Sequence, residues 1–211
     1  PTPRSHRRHR QHPRQRGDPQ HVAVVLAERK PARPAILVDL HAIDAFSRER
    51  VVDQRILVDC GLFQGLKTLR ERNWRPLPVE ASSIHAVILT HAHLDHSGYL
   101  PRLVAQGFRG RVYCTPGTRD LCTLVLPDSA KIQEEDAADA NRYGYSKHQP
   151  ALPLYTSADA ARALGLLQPV GYDRPVPVAP GVTVEFLNAG HLLGSSFARV
   201  RVEKDGKTVL F

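Results

Sequence analysis

Residues 90–100 read THAHLDHSGYL, and the six positions 91–96 hold three histidines and an aspartate directly after the apolar run AVIL. Neutral imidazole and carboxylate are the ligand types that suit zinc and similar divalent ions. A single histidine is more often a satisfied structural residue than a ligand. Here that bland reading would have to hold four times over, because His91, His93, Asp95 and His96 would each need a separate polar partner at one strand end. The cluster is therefore expected to be a metal site.

A strand must deliver that cluster, and the surrounding pattern supplies one. AVILT (86–90) reads as a fully buried strand, while ILVDL (36–40) and RILVDC (55–60) read as strands by their β-branched residues and short length. SGYLPRLVAQG follows the cluster as a short helix, with Ser97 as its N-cap, Pro101 tolerated early and Gly107 as its stop. RVYCT (111–115) is a further strand. A helical stretch then runs from about Thr118 to Arg142, with an interruption expected near Pro127. YTSADAARALGL carries capping hydroxyls at Thr156 and Ser157 and a stop at Gly165. VTVEFLNA (182–189), FARVRVE (197–203) and KTVLF (207–211) close the chain as strands, the last two joined by a hairpin turn on Asp205 and Gly206. Interleaved strands and helices with an antiparallel closing portion predict an α/β fold.

Composition narrows the function classes. With 211 residues and 42% hydrophobic content the chain suits one substantial globular domain or part of a larger one. No run approaches the roughly eighteen apolar residues of a membrane span, and no secretory signal opens the chain, so a cytoplasmic location and no membrane partner are expected. Cys60, Cys114 and Cys122 form no C-x-x-C pair, which argues against a disulfide framework or a cysteine-rich zinc knuckle. The net charge of +8 is concentrated: residues 1–35 carry +7, leaving +1 for the other 176. That Pro- and Arg-rich opening is expected to be a disordered basic tail, since it cannot bury enough apolar surface to order itself. An RNA-attracting arm is the alternative reading of the same charge. Residues 36–211 are expected to form the globular part.

H-x-H-x-D-H after a buried strand resembles the metallo-β-lactamase fold hydrolases, and HAHLDH (91–96) matches all four ligand positions. NAGHLLGSS (188–196) then supplies His191 as a further ligand, and LVDCG (57–61) resembles the motif whose aspartate, here Asp59, braces the site by hydrogen bonds. DCGLFQG (59–65), LTHAHLDHSGYLPRL (89–103) and GHLLGSS (190–196) are most similar to the β-CASP ribonuclease branch, which includes ribonuclease J and the endonuclease of messenger RNA 3′-end processing. The resemblance is clear from about residue 55 and implies a partial αββα sandwich.

It also implies a chemistry. Two zinc ions would be held, the first by His91, His93 and His191 and the second with help from Asp95 and His96, and a metal-bound hydroxide would attack a phosphodiester of single-stranded RNA. Asp95 would also orient that hydroxide. His91 and His93, two apart on an extended loop, can converge on one ion, whereas a helix would favour a spacing of four. The family's bridging aspartate follows a strand like KTVLF, so this chain is expected to lack it, a last metal-binding histidine and the β-CASP domain, and to be weakly active or inactive as it stands. Nothing in 1–54 matches the family's opening strand. Two alternatives share the motif: a hydrolase of small thioesters or lactones, and a metal-binding fragment without turnover. Trp74 is read as a partly covered surface residue rather than a base-stacking one. Ser195 and Ser196 are read as loop hydrogen-bonding residues, since no base accompanies them. The oligomeric state is left open, a homo-oligomer included.

Overall fold

A computed structural model describes residues 36–43, 50–204 and 207–210. The basic tail and the Asp205–Gly206 turn lie outside the described residues. Five strands form the first sheet in the order β1 (Ile36–Ile43), β2 (Arg50–Val58), β3 (Ala86–Ile88), β4 (Arg111–Cys114) and β5 (Leu167–Pro169). β1 pairs antiparallel with β2, and the remaining pairs are parallel. The second sheet is antiparallel throughout: β6 (Val176–Ala179), β7 (Val182–Asn188), β8 (Ser196–Lys204) and β9 (Lys207–Leu210).

Alternation along the strands sends side chains into two cores. Leu57, Val87, Val112 and Cys114 point to a helix layer that supplies Leu100, Leu103, Cys122, Leu126 and Ala160. Ile56, Ala86 and Ile88 point the other way and meet Val182, Val184, Phe186, Val200 and Val202 of the second sheet. A parallel strand buried on both faces reads as an unbroken apolar run, which is why β3 was legible as AVIL. Phe197 and Arg201, alternating with the buried residues of β8, are exposed on the far side of the second sheet. Helices, sheet and sheet thus make three layers of an α/β sandwich.

The helices are α1 (Lys67–Arg70), α2 (Leu94–Ser97), α3 (Leu100–Ala105), α4 (Pro116–Tyr143) and α5 (Ser157–Leu164). Two expectations are corrected. Ser97 is not an N-cap: it ends α2, and its hydroxyl donates to the Ala92 carbonyl at 2.9 Å, tying the helix back onto the loop before it. The helix holding Pro127 is not interrupted there. Proline removes one backbone N–H, but Cys122, Leu126, Ser129 and Ala130 are buried on both sides of it, and this packing carries the helix through. Thr156 caps α5 as expected, in a reciprocal capping box with Asp159.

Candidate metal centre

β3 ends at Ile88, and the five residues before α2 place the cluster at the carboxyl end of the first sheet, where open α/β folds put their sites. β2 ends beside it, and Asp59 leaves the strand with φ of 60°, in the left-handed region. That turn aims the carboxylate at the neighbouring loop. Asp59 is 9% exposed. It accepts the Thr90 backbone N–H at 2.8 Å and the Thr90 hydroxyl at 2.9 Å, and its other oxygen lies 2.8 Å from His96 Nδ1.

These bonds select tautomers. The Thr90 hydroxyl has one proton and gives it to Asp59, so toward His91 Nδ1, 3.0 Å away, it can only accept. His91 Nδ1 therefore carries the proton, and Nε2 presents its lone pair. By the same logic His96 Nδ1–H donates to Asp59 and leaves Nε2 open, 3.8 Å from Asp95 Oδ2. Burial, followed by the neighbouring His96, holds the His91 imidazole below the usual histidine range. The hydrogen bond to Asp59 holds His96 above it. A neutral His91 is the form that ligates.

His91, His93 and His191 converge, with ligand atoms all within 4.8 Å of one another. His91 Nε2 is 3.1 Å from His93 Nδ1, and His93 Nδ1 is 3.3 Å from His191 Nε2. Two nitrogens bound to one tetrahedral zinc at about 2.05 Å would stand about 3.3 Å apart, so the donor set fits such an ion. His96 stacks beside this triad with its ring centroid 4.0 Å from that of His91. Asp95 is more exposed and meets only His96 among the paired groups. Among the described residues the triad is the one group of three or more ligand side chains that closes on a point. The cysteines stay out of it: burial pushes both Cys114 and Cys122 up to about 12, which keeps them as thiols.

Two residues that the motif reading passed over shape the site. Thr90 relays the Asp59 charge to His91, and its only sequence signal was its place between the strand and the first histidine. Gly61 lets the loop after β2 lie on α2, since a Cβ there would sit 1.6 Å from the Asp95 carbonyl oxygen. Cys60 N–H donates to the His96 carbonyl at 2.6 Å and Leu62 N–H to the Leu94 carbonyl at 2.8 Å across this contact. His191 arrives from the β7–β8 loop, where the Ser195 hydroxyl accepts the His191 and Leu192 backbone N–H groups at 3.0 Å each. The Ser196 hydroxyl and backbone N–H both donate to the Thr90 carbonyl at 3.0 Å, fastening this loop to the other. The two serines are loop-organising residues, as their sequence context suggested.

Known proteins are similar in sequence to about three quarters of this chain. Ribonuclease TTHA0252 of Thermus thermophilus is 36% identical over 158 residues, which cover 75% of this chain and 32% of that protein. Transcription termination factor FttA of Methanosarcina mazei is 34% identical over 160 residues, covering 75% of this chain and 23% of that one. The chain thus spans about a quarter to a third of the length of these curated relatives. A solved metallo-β-lactamase of Cronobacter sakazakii, a HARLDQ motif mutant, superposes with a TM-score of 0.44 at 20% identity, over 84% of this chain and 54% of that structure. The family profile described as Beta-lactamase superfamily domain matches residues 54–211. That span opens on the strand leading into Asp59 and takes in both loops that build the histidine cluster, and the chain belongs to this superfamily.

Proposed function

We propose that this chain is part of a zinc-dependent hydrolase that cleaves single-stranded RNA. The observation that carries the reading is the convergence of three imidazole nitrogens, His91 Nε2, His93 Nδ1 and His191 Nε2, at 3.1 and 3.3 Å spacings suited to one tetrahedral ion. Asp95 and His96, side by side next to the triad, are assigned to a second ion. Bound zinc supplies Lewis acidity and brings the pKa of a coordinated water toward about 7.

The chain's own residues do the rest. Asp59 holds His96 directly and His91 through Thr90, so both rings keep their open nitrogens on one side without rotating. Asp95, the catalytic carboxylate of this assignment, is exposed enough to accept a proton from a nucleophilic water or to orient it. RNA is preferred as substrate because the curated relatives include a protein named as a ribonuclease and one named as a transcription termination factor. Residues 36–211 are assigned to one portion of the hydrolase domain and residues 1–35, with their charge of +7, to a basic tail outside it. Among the described residues no helix is long and apolar enough to cross a membrane, which is compatible with an RNA enzyme of the cytoplasm.

The test is cleavage of end-labelled single-stranded RNA by the whole protein that contains this chain, with and without zinc, beside Asp95→Ala in that protein. Zinc-dependent cleavage that Asp95→Ala abolishes supports the reading. Efficient hydrolysis of a thioester or lactone with no action on RNA would replace it with the small-molecule hydrolase.

A further inference from the structure

His91 is buried, but His93 and His191 are exposed. An exposed ligand is not aimed by packing around its ring, so its direction rests on how its backbone is anchored. For His191 the anchor lies on a different element. Three residues after it, the Gly194 carbonyl accepts two hydroxyls: Thr115 Oγ1 at 2.5 Å and Thr118 Oγ1 at 2.8 Å. Both threonines are 0% exposed. Thr115 is the N-cap of α4, and its hydroxyl oxygen also accepts the Thr118 N–H at 3.2 Å. The first turn of a 28-residue helix thus grips the loop that carries His191.

The contact is steric as well as polar. Gly194 has φ of +79°, and a Cβ on it would meet Thr118 N at 2.1 Å. A Cβ on Gly117 would come within 2.9 Å of both Gly194 N and Cα. Backbone therefore lies against backbone, with two hydroxyl bonds across the seam. From Gly194 the chain passes straight to Ser195, whose hydroxyl accepts the His191 N–H and whose carbonyl accepts the Tyr172 hydroxyl at 2.9 Å.

We propose that Thr115 and Thr118 are positioning residues for the metal centre, which set the place of His191 through the Gly194 carbonyl. The proposal rests on the metal reading of the triad. It separates the helix start from a purely capping role: a cap would satisfy α4 and stop there, whereas this pair holds a ligand loop that lies 76 to 79 residues away in sequence.

Competition of zinc binding against a chromophoric chelator tests it on the 211-residue chain, with cobalt(II) absorption as a report on ligand geometry. Wild type, His191→Ala, Thr118→Val, Thr118→Ser, Gly117→Ala and Ser129→Ala are compared. Loss of a supporting hydrogen bond is expected to weaken zinc roughly 10-fold in Thr118→Val. Thr118→Ser, which keeps the hydroxyl, should bind like wild type. Gly117→Ala should weaken zinc by displacing the same loop without removing any polar group. Ser129→Ala removes the 2.8 Å bond to the Tyr155 hydroxyl farther along α4, and should lower the melting temperature with no change in affinity. Unchanged affinity in both Thr118→Val and Gly117→Ala overturns the proposal, as does an equal loss in Ser129→Ala. Should His191→Ala bind zinc as well as wild type, the triad assignment itself falls.

Discussion

Replacing Asp59 by Asn changes one charge and almost nothing else, because asparagine tolerates the left-handed φ of 60° that this position adopts. Its amide oxygen can still accept the Thr90 N–H and hydroxyl, which now reach the carboxylate at 2.8 and 2.9 Å. The other end is altered: an NH2 donor replaces the oxygen that stands 2.8 Å from His96 Nδ1. His96 must then accept at Nδ1 and carry its proton on Nε2, the nitrogen that faces Asp95 at 3.8 Å. A protonated Nε2 has no lone pair for a metal. The proposed second ion should therefore bind about 10- to 100-fold more weakly, while the triad, whose His91 tautomer survives through Thr90, should change less than about 10-fold. Stability of the metal-free protein should fall by about 1.5 kcal/mol, the low end for a charge-assisted bond, since the His96 side chain is 34% exposed. Zinc titration should show the second step displaced and the first preserved, and nitrogen-15 NMR should show the His96 proton moved from Nδ1 to Nε2. An Asp59→Asn protein with both binding steps unchanged, or with the Nδ1–H signal intact, would refute the tautomer argument. Asp59→Ala should be worse by a further 1–2 kcal/mol or so, because alanine is strained in that backbone region.

His93→Ala removes the imidazole that lies between the other two, 3.1 and 3.3 Å from each, and should abolish tight zinc binding; elemental analysis after mild chelation reads this directly. Gly61→Ala drives a methyl to 1.6 Å from the Asp95 carbonyl oxygen, so the loop and α2 must separate, and urea unfolding should show a loss of about 1–3 kcal/mol. In metal-free protein the pH dependence should split by residue. The raised His96 contributes stability that is complete below about pH 6.5 and lost as pH rises through its folded value, so His96→Gln should cost most in acid. The lowered His91 contributes stability that is present above about pH 6.5 and lost as pH falls through its folded value, so His91→Gln should cost most in base. Urea midpoints measured over a pH series on both sides of about 6.5 check this, and the same pH trend in the two variants would contradict the assigned directions.

The local parts of this protein were legible in the sequence because their causes are local. AVIL can bury both faces only as an interior strand, and HAHLDH concentrates ligands within six positions of its end. Thr156 with Asp159 three residues later is a cap whose partners are built in. His191 was reached through likeness to a known motif, since its partner His93 is 98 residues away and no spacing rule spans that gap. Tertiary contacts decided what remained. Pro127 and Ser97 were misread because burial on both sides of one, and an acceptor at Ala92 for the other, outweighed the preferences of single residues. β5 and β6, three and four residues long, exist because β4 and β7 offer them an edge to pair with. Which nitrogen of His91 keeps a free lone pair depends on a single hydroxyl hydrogen bond donated by Thr90 to Asp59, two residues 31 apart that only the parallel pairing of β2 and β3 brings together. The residue types named the chemistry; the sheet and its loops chose the lone pairs that can perform it.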